Sequence, residues 1–171
     1  MNKILLFFLI FIVNCSQPTP DQRNNLIEEL NLNKFRKNTY TTKFFNIFSL
    51  EKIKNDKKLT IYIEGDGVSW VDRFTPSSNP TPTDPLAFKM ALIDEGENVI
   101  YLARPCQYVW SDICNKDIWT IAQYSSVVLD SYKEIIDHLS RKHKEIHLVG
   151  YSGGAGIAMY LSSIENQSIK S

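Results

Sequence analysis

Ser152 is the residue of this 171-residue chain whose setting points most directly to chemistry. It lies in the pentapeptide 150–154, Gly-Tyr-Ser-Gly-Gly, directly after the apolar run 146–149. The pattern Gly-x-Ser-x-Gly between a strand and a helix start predicts a sharp turn that exposes the hydroxyl in strained backbone geometry. Unpaired backbone N–H groups at the start of the helix can stabilise an oxyanion beside that hydroxyl. We therefore predict that Ser152 is a catalytic nucleophile.

Other interpretations of this turn are open from the residues alone. The motif is short enough to occur by chance. A glycine-rich turn after a strand can also bind a dinucleotide, but the glycines here do not follow the Gly-x-Gly-x-x-Gly spacing. Trypsin-like proteases carry Ser-Gly-Gly at their nucleophile, yet an aspartate precedes that serine and the chain around it is all-β. Here Tyr151 precedes the serine, and the flanks are strand and helix.

Strand patterns precede the serine turn in the chain. Segments 44–50 and 59–63 are rich in β-branched and aromatic residues, and the polar stretch 54–58 separates them. We expect these two strands to pair as a hairpin. A third strand is predicted at 99–103, and the fourth is the apolar run that leads into the serine turn.

Helix patterns alternate with these strands. Asp84-Pro85 predicts a helix cap followed by proline at the first helical position. A long helix that starts between residues 117 and 125 has a buried stripe at helical spacing, made of Val128, Tyr132, Ile135, Ile136 and Leu139. The alternation predicts an α/β fold with a mainly parallel sheet and helices on both faces. Ligands bind at the carboxyl ends of such strands, where loop 65–67, Arg104 and Ser152 all lie.

The N-terminus has the pattern of an export signal. Lys3 precedes the apolar run 4–13, which is too short to span a bilayer and predicts a signal peptide over 1–14. Cys15 then resembles the lipidated cysteine of bacterial lipoproteins, although Asn14 replaces the usual small residue. We expect a membrane-anchored lipoprotein of the bacterial cell envelope, with a lipidated tether and short helix over 15–39 and one domain over 40–171. Simple signal cleavage and an uncleaved membrane stub are the alternatives.

Composition and the number of cysteines limit which binding partners and which cysteine chemistry the chain can have. The formal net charge is +0, which gives no electrostatic basis for nucleic-acid binding. With Cys15 assigned to lipid, Cys106 and Cys114 remain as an even pair in an exported chain, and their spacing permits a disulfide. A metal site is disfavoured because two cysteines without a nearby histidine are too few ligands. Free buried thiols are the alternative to the disulfide.

The chain resembles the α/β-hydrolase family of serine esterases and lipases from about Tyr40 to its last residue, most specifically at the pentapeptide 150–154. The resemblance implies a three-layer α/β fold with Ser152 as nucleophile. It also implies that the N–H of Gly153 is the first oxyanion donor. The substrate it implies is a small molecule with an ester-like bond, and it implies neither a metal nor a cofactor.

The second oxyanion donor of the family comes from a loop after an earlier strand, often at His-Gly and the residue that follows. The stretch 64–67, Glu-Gly-Asp-Gly, occupies that place here, with Glu64 where the family has histidine. The resemblance therefore assigns the second donor to Asp66 or Gly67 and does not choose between them.

The rest of the catalytic triad is not found where the family has it. The family's order is serine, acid, histidine, but Glu165 is the one acid after Ser152 and no histidine follows. His138, His143 and His147 come earlier, on the long helix, at its end and in the last strand. A serine hydroxyl without a base is a poor nucleophile.

We therefore expect this chain to be the N-terminal portion of an exported α/β-hydrolase, truncated after the serine turn. We expect its activity to be impaired, because the later strands, the acid and the histidine are lost. A separate C-terminal fragment is one potential partner. The alternative is a non-catalytic lipoprotein remnant or binding module that retains the fold.

Overall fold

The computed structural model describes residues 19–164 and 168–170. Within them the chain forms five helices and five strands. In chain order these are α1 (Pro20–Asn31), β1 (Arg36–Thr41), β2 (Asn46–Lys52), β3 (Leu59–Ile63), α2 (Leu86–Ile93), β4 (Val99–Leu102), α3 (Lys116–Trp119), α4 (Ser126–Leu139), β5 (Ile146–Gly150) and α5 (Gly153–Ser163). The predicted signal peptide, Cys15 and Glu165 lie outside the described residues. No helix among the described residues is long and apolar enough to cross a membrane.

The five strands form one mixed sheet in the order β1-β2-β4-β3-β5. β4, β3 and β5 are parallel neighbours, whereas β2 pairs antiparallel with both β1 and β4. Of the five described strands, β2 alone therefore runs against the others. The predicted α/β fold with a mainly parallel sheet is confirmed.

Helices cover both faces of this sheet and build a core on each side. On one face α4 and α5 pack against strand residues such as Ile47 and Ile61. On the other face α1 and α2 pack against Phe48 and Tyr101. Neighbouring residues of β2 and β4 alternate between the two cores, which is why these central strands are apolar on both faces. The predicted three-layer arrangement is confirmed.

The buried stripe of α4 is also confirmed. Its five predicted residues are between 0 and 5% exposed: Val128, Tyr132, Ile135, Ile136 and Leu139. Burying each of the four aliphatic side chains among them contributes about 1.5–3 kcal/mol. Tyr132 also donates from its hydroxyl to the carbonyl of Ala103 at 2.7 Å, so the helix is fixed to the end of β4.

The predicted hairpin between the strands at 44–50 and 59–63 is wrong, because β4 lies between β2 and β3. β2 forms its hairpin with β1 instead, from Arg36 opposite Glu51 to Thr41 opposite Asn46. The sequence of β1, Arg-Lys-Asn-Thr-Tyr-Thr, is polar because it forms an exposed edge, and charged edges are typical of strands that must not aggregate. This polarity explains why the sequence predicts no strand within 15–39, whereas the sheet begins at Arg36.

Two helix starts differ in detail from the sequence expectation. α1 begins with a capping box between Thr19 and Gln22 and buries Ile27. At α2 the N-cap position is Pro85, and no side chain caps the helix. Asp84 instead forms an ion pair with Lys89.

Candidate active site

The predicted strand-turn-helix around Ser152 is present. β5 ends at Gly150, α5 begins at Gly153, and Ser152 between them has φ 49° and ψ −120°, a conformation that residues with a Cβ rarely adopt. The serine is exposed. The chain therefore presents the hydroxyl at a strained corner between sheet and helix.

The two glycines that bracket the serine allow close backbone approach. A Cβ atom on Gly150 would lie 2.4 Å from Ala155 Cα, and one on Gly154 would lie 2.3 Å from the carbonyl oxygen of Ile63. Both contacts are with backbone, so neither can be relieved by moving a side chain. The Gly-x-Ser-x-Gly pattern at this position is thus required by packing of α5 against β5 and β3.

The loop after β3 lies against the serine turn. A Cβ on Gly65 would be 3.2 Å from Ser152 Cβ, and a Cβ on Gly153 would be 2.0 Å from Asp66 Oδ1. The backbone N–H groups of Asp66, Gly67 and Gly153 make no hydrogen bond within residues 19–164 and 168–170. The structure therefore packs the loop that carries Asp66 against the serine turn, and the backbone N–H groups of the candidate donors are unpaired among the described residues.

Gln107 holds the loop from its other side. Its side-chain Nε2 donates to the carbonyl of Gly65 at 3.0 Å, and its Oε1 accepts from the backbone N–H of Arg104 at 3.0 Å. Gln107 is 0% exposed, and it lies in the loop that the disulfide between Cys106 and Cys114 closes. The cysteine pair is thus bonded and stabilises the segment that supports the loop after β3.

A polar cluster beside the serine was not found from the sequence. Arg104 Nη1 donates to Asp66 Oδ1 at 2.8 Å, and Arg104 Nη2 donates to the carbonyl of Gln123 at 2.8 Å. The Gln123 side-chain amide, oriented so that its NH2 group faces the carboxylate, donates to Asp66 Oδ1 at 2.7 Å. Tyr124 lies under the Arg104 guanidinium and donates from its hydroxyl to the carbonyl of Gly153 at 3.1 Å. The one feature of the sequence that pointed to this cluster is the position of Arg104 at the end of a predicted strand.

Glu64, at the position where the resemblance to α/β-hydrolases leads one to expect histidine, faces the core. It is 1% exposed, and its Oε1 accepts from the backbone N–H of Gly65 at 2.9 Å and of Ala87 at 3.4 Å. Burial raises the pKa of this carboxyl, and the two backbone donors offset the rise in part. Glu64 therefore supports the loop from within and does not contact the exposed hydroxyl of Ser152.

The three histidines lie elsewhere. His143 contacts the carbonyl of Lys57 through Nδ1 at 2.9 Å, and His147 contacts Glu145 through Nε2 at 2.8 Å. Both therefore lie near the amino ends of the parallel strands, whereas Ser152 follows a carboxyl end. His138 packs beside the ring of Tyr40. No histidine of the chain is in place to take the proton of Ser152.

Comparison with known proteins yields structural likeness only. No family model matches the chain, and no curated protein does. An esterase from Pyrococcus furiosus matches with a TM-score of 0.50 and 17% identity, covering 79% of this chain and 48% of the esterase chain. A membrane phospholipase A described as a bacterial virulence factor matches with a TM-score of 0.48 and 16% identity, covering 88% of this chain and 43% of that one.

This chain spans about half the length of the solved structures it matches. At 17% identity the likeness concerns the fold and not the reaction. The sheet and helices of this chain match those of the esterase, so the two share a three-layer α/β fold over the matched part.

Proposed function

We propose that this chain is the nucleophile-bearing part of a serine hydrolase that cleaves an ester or related acyl bond. The observation that carries the proposal is the exposed Ser152 at a positive φ, followed by the free N–H of Gly153, with the loop of Asp66 and Gly67 packed against its turn. A serine held in a strained conformation costs about 1–3 kcal/mol. Such strain is characteristic of a functional site, because packing alone gives no reason to retain it.

In the proposed reaction, Ser152 Oγ attacks the acyl carbon, and the carbonyl oxygen becomes an oxyanion. The N–H of Gly153 donates to the oxyanion, together with the N–H of Asp66 or Gly67. The hydroxyl proton must pass to a base, which protonates the leaving alcohol. Water then hydrolyses the acyl-serine by the reverse sequence. Every group of this scheme except the base and its acid partner lies among the described residues.

We propose that a separate C-terminal fragment supplies the base and the acid. Two observations support this assignment. The chain spans about half of the esterase that it matches, and the outer edge of β5 pairs with one short segment of the described residues, through a bridge from Ile146 to Ile169. On its own, the chain is expected to be strongly impaired, since losing the base costs several orders of magnitude in rate.

We also propose export as a lipoprotein anchored through Cys15, on the basis of the N-terminal sequence. The disulfide between Cys106 and Cys114 supports export, because such bonds persist in oxidising compartments. Incorporation of a labelled fatty acid into the wild-type chain, and its loss in Cys15→Ser, is the matching test.

A non-catalytic lipoprotein or binding module on the same fold is the second candidate. It is favoured by one observation, that His138, His143 and His147 all lie away from Ser152. The two candidates differ in whether the serine can react at all.

An alkyl fluorophosphonate separates them. Ser152 Oγ displaces fluoride from phosphorus, and the proton passes to buffer or to added imidazole, which substitutes for the missing base. We expect labelling that maps to Ser152, accelerates with imidazole and disappears in Ser152→Ala. Ser162→Ala is the matched control, because Ser162 is an exposed serine on the same helix. Folded wild-type protein that stays unlabelled would favour the non-catalytic module.

A further inference from the structure

We propose that Arg104 is a positioning residue for the oxyanion site: it holds the Asp66 loop against the serine turn and neutralises the Asp66 carboxylate there. This inference rests on the proposed hydrolase function. It concerns a contact between three segments that are far apart in the chain, namely the loop after β3, the end of β4 and the start of α5.

The Asp66 carboxylate lies beside Gly153, where a second negative charge would destabilise the oxyanion of the proposed reaction. Its Oδ1 is so close to Gly153 that an added Cβ there would be 2.0 Å away. An oxyanion held by the Gly153 N–H would therefore form near a carboxylate. Like charges this close repel, and the repulsion grows where surrounding protein lowers the local dielectric constant. Unless a cation compensates it, this carboxylate would weaken the stabilisation that the N–H groups supply.

Arg104 supplies that cation. Its side chain is 6% exposed, against 29% for Asp66, and the two are joined at 2.8 Å. A guanidinium supplies a positive charge and a planar set of N–H donors that match a carboxylate. A second N–H of Arg104 reaches the carbonyl of Gln123, and its plane lies over Tyr124. The cation is thus fixed at two points besides Asp66.

Stability alone does not account for this pair. Replacing a buried ion pair by apolar residues of similar volume is often neutral or stabilising. The pair does, however, fix the side chain whose own backbone N–H is a candidate oxyanion donor. Gln107 holds the neighbouring carbonyl of Gly65 from the other side. The loop is therefore fixed by its carboxylate and by its carbonyl, and its N–H groups stay free.

Phenylboronic acid tests this role without needing a catalytic base. Ser152 Oγ forms a bond to boron, the hydroxyl proton leaves to the buffer, and the adduct is a tetrahedral anion that resembles the oxyanion intermediate. The adduct is measured by boron NMR and by titration. Ser152→Ala defines the affinity that does not depend on the serine.

Arg104→Met should weaken Ser152-dependent binding by about 10- to 100-fold, below the loss ascribed to removing a whole oxyanion donor. Arg104→Lys, which retains the charge, should recover most of that loss. Arg104→Met combined with Asp66→Asn should recover part of it, because no unpaired carboxylate then faces the boronate. Circular dichroism and urea unfolding establish that each variant is folded.

Three outcomes would overturn the inference or its premise, and they are distinguishable. Unchanged binding in folded Arg104→Met refutes the role of Arg104 and leaves the serine site intact. Equal loss in Arg104→Met, in Arg104→Lys and in the double variant indicates general packing and also refutes it. Absence of any Ser152-dependent adduct in the wild type refutes the proposed function itself.

Discussion

The strain at Ser152 predicts that glycine at this position makes the protein more stable. Ser152 has φ 49° and ψ −120°, which glycine adopts without a steric penalty. Relief of such strain is worth about 1–3 kcal/mol. The greater freedom of glycine in the unfolded chain offsets about 0.5–1 kcal/mol. Because Ser152 is exposed and its side chain makes no hydrogen bond within the described residues, little else is lost. Ser152→Gly should therefore raise the free energy of unfolding by up to about 2.5 kcal/mol.

Urea unfolding followed by tryptophan fluorescence measures this change. Ser152→Ala is the first control, because it retains the Cβ and the strain and should remain within about 0.5 kcal/mol of the wild type. Ser162→Gly is the second, because Ser162 lies in the regular part of α5, where glycine should cost up to about 1 kcal/mol. If Ser152→Gly is no more stable than Ser152→Ala, the turn is not strained and the argument from strain to function fails.

Three further predictions concern the surroundings of the site. Gly154→Ala should lower the free energy of unfolding by about 1–3 kcal/mol, because the new methyl group meets the backbone of β3. Gly156→Ala should change it by less than about 1 kcal/mol, since the methyl group meets only a side-chain ring; equal losses in urea unfolding would contradict this packing. Replacing Cys106 and Cys114 by serine should cost about 2–3 kcal/mol through loop-closure entropy, and a double variant as stable as the oxidised wild type would count against it. Burial raises the pKa of Glu64 above its usual 4.5, so the native state binds this proton more tightly than the unfolded state, and the stabilisation it gives is lost as pH rises from 4.5 through the native pKa. The stability of Glu64→Gln relative to the wild type should therefore increase from about pH 4 to about pH 8, and a difference that is constant with pH would contradict the raised pKa.

Local patterns were sufficient to predict the serine turn and the long helix. The turn depends on five consecutive residues, and the glycines at its ends are required by contacts with the adjacent strand and helix. The stripe on α4 is a spacing of apolar residues within one element, so it needs no knowledge of the partner. Both features are encoded within short windows, and both are present in the structure.

Features that depend on contacts between segments far apart in the chain could not be predicted from local sequence patterns. The strand at Arg36–Thr41 is not predicted from the sequence, because its apolar content is low and its pairing with β2 cannot be seen in its own residues. The order of the strands depends on where the chain crosses over. β4 lies beside β2, in the position that neighbours in sequence would give to β3. The cluster of Asp66, Arg104 and Gln123 likewise combines residues from three separate loops, so spacing could not indicate it.

The most direct test of the central claim asks whether position 152 accelerates acyl transfer when the nucleophile needs no base. In a Cys15→Ser background, Ser152→Cys provides a thiol that ionises by itself, beside the helix start and the free N–H groups. The thiolate attacks the carbonyl carbon of p-nitrophenyl acetate, p-nitrophenolate leaves, and intact mass follows the acetylated protein. Ser162→Cys is the matched control on the same helix. We predict acetylation at position 152 at least about tenfold faster than at position 162 at equal pH, whereas equal rates would contradict the claim that this turn is built for nucleophilic attack.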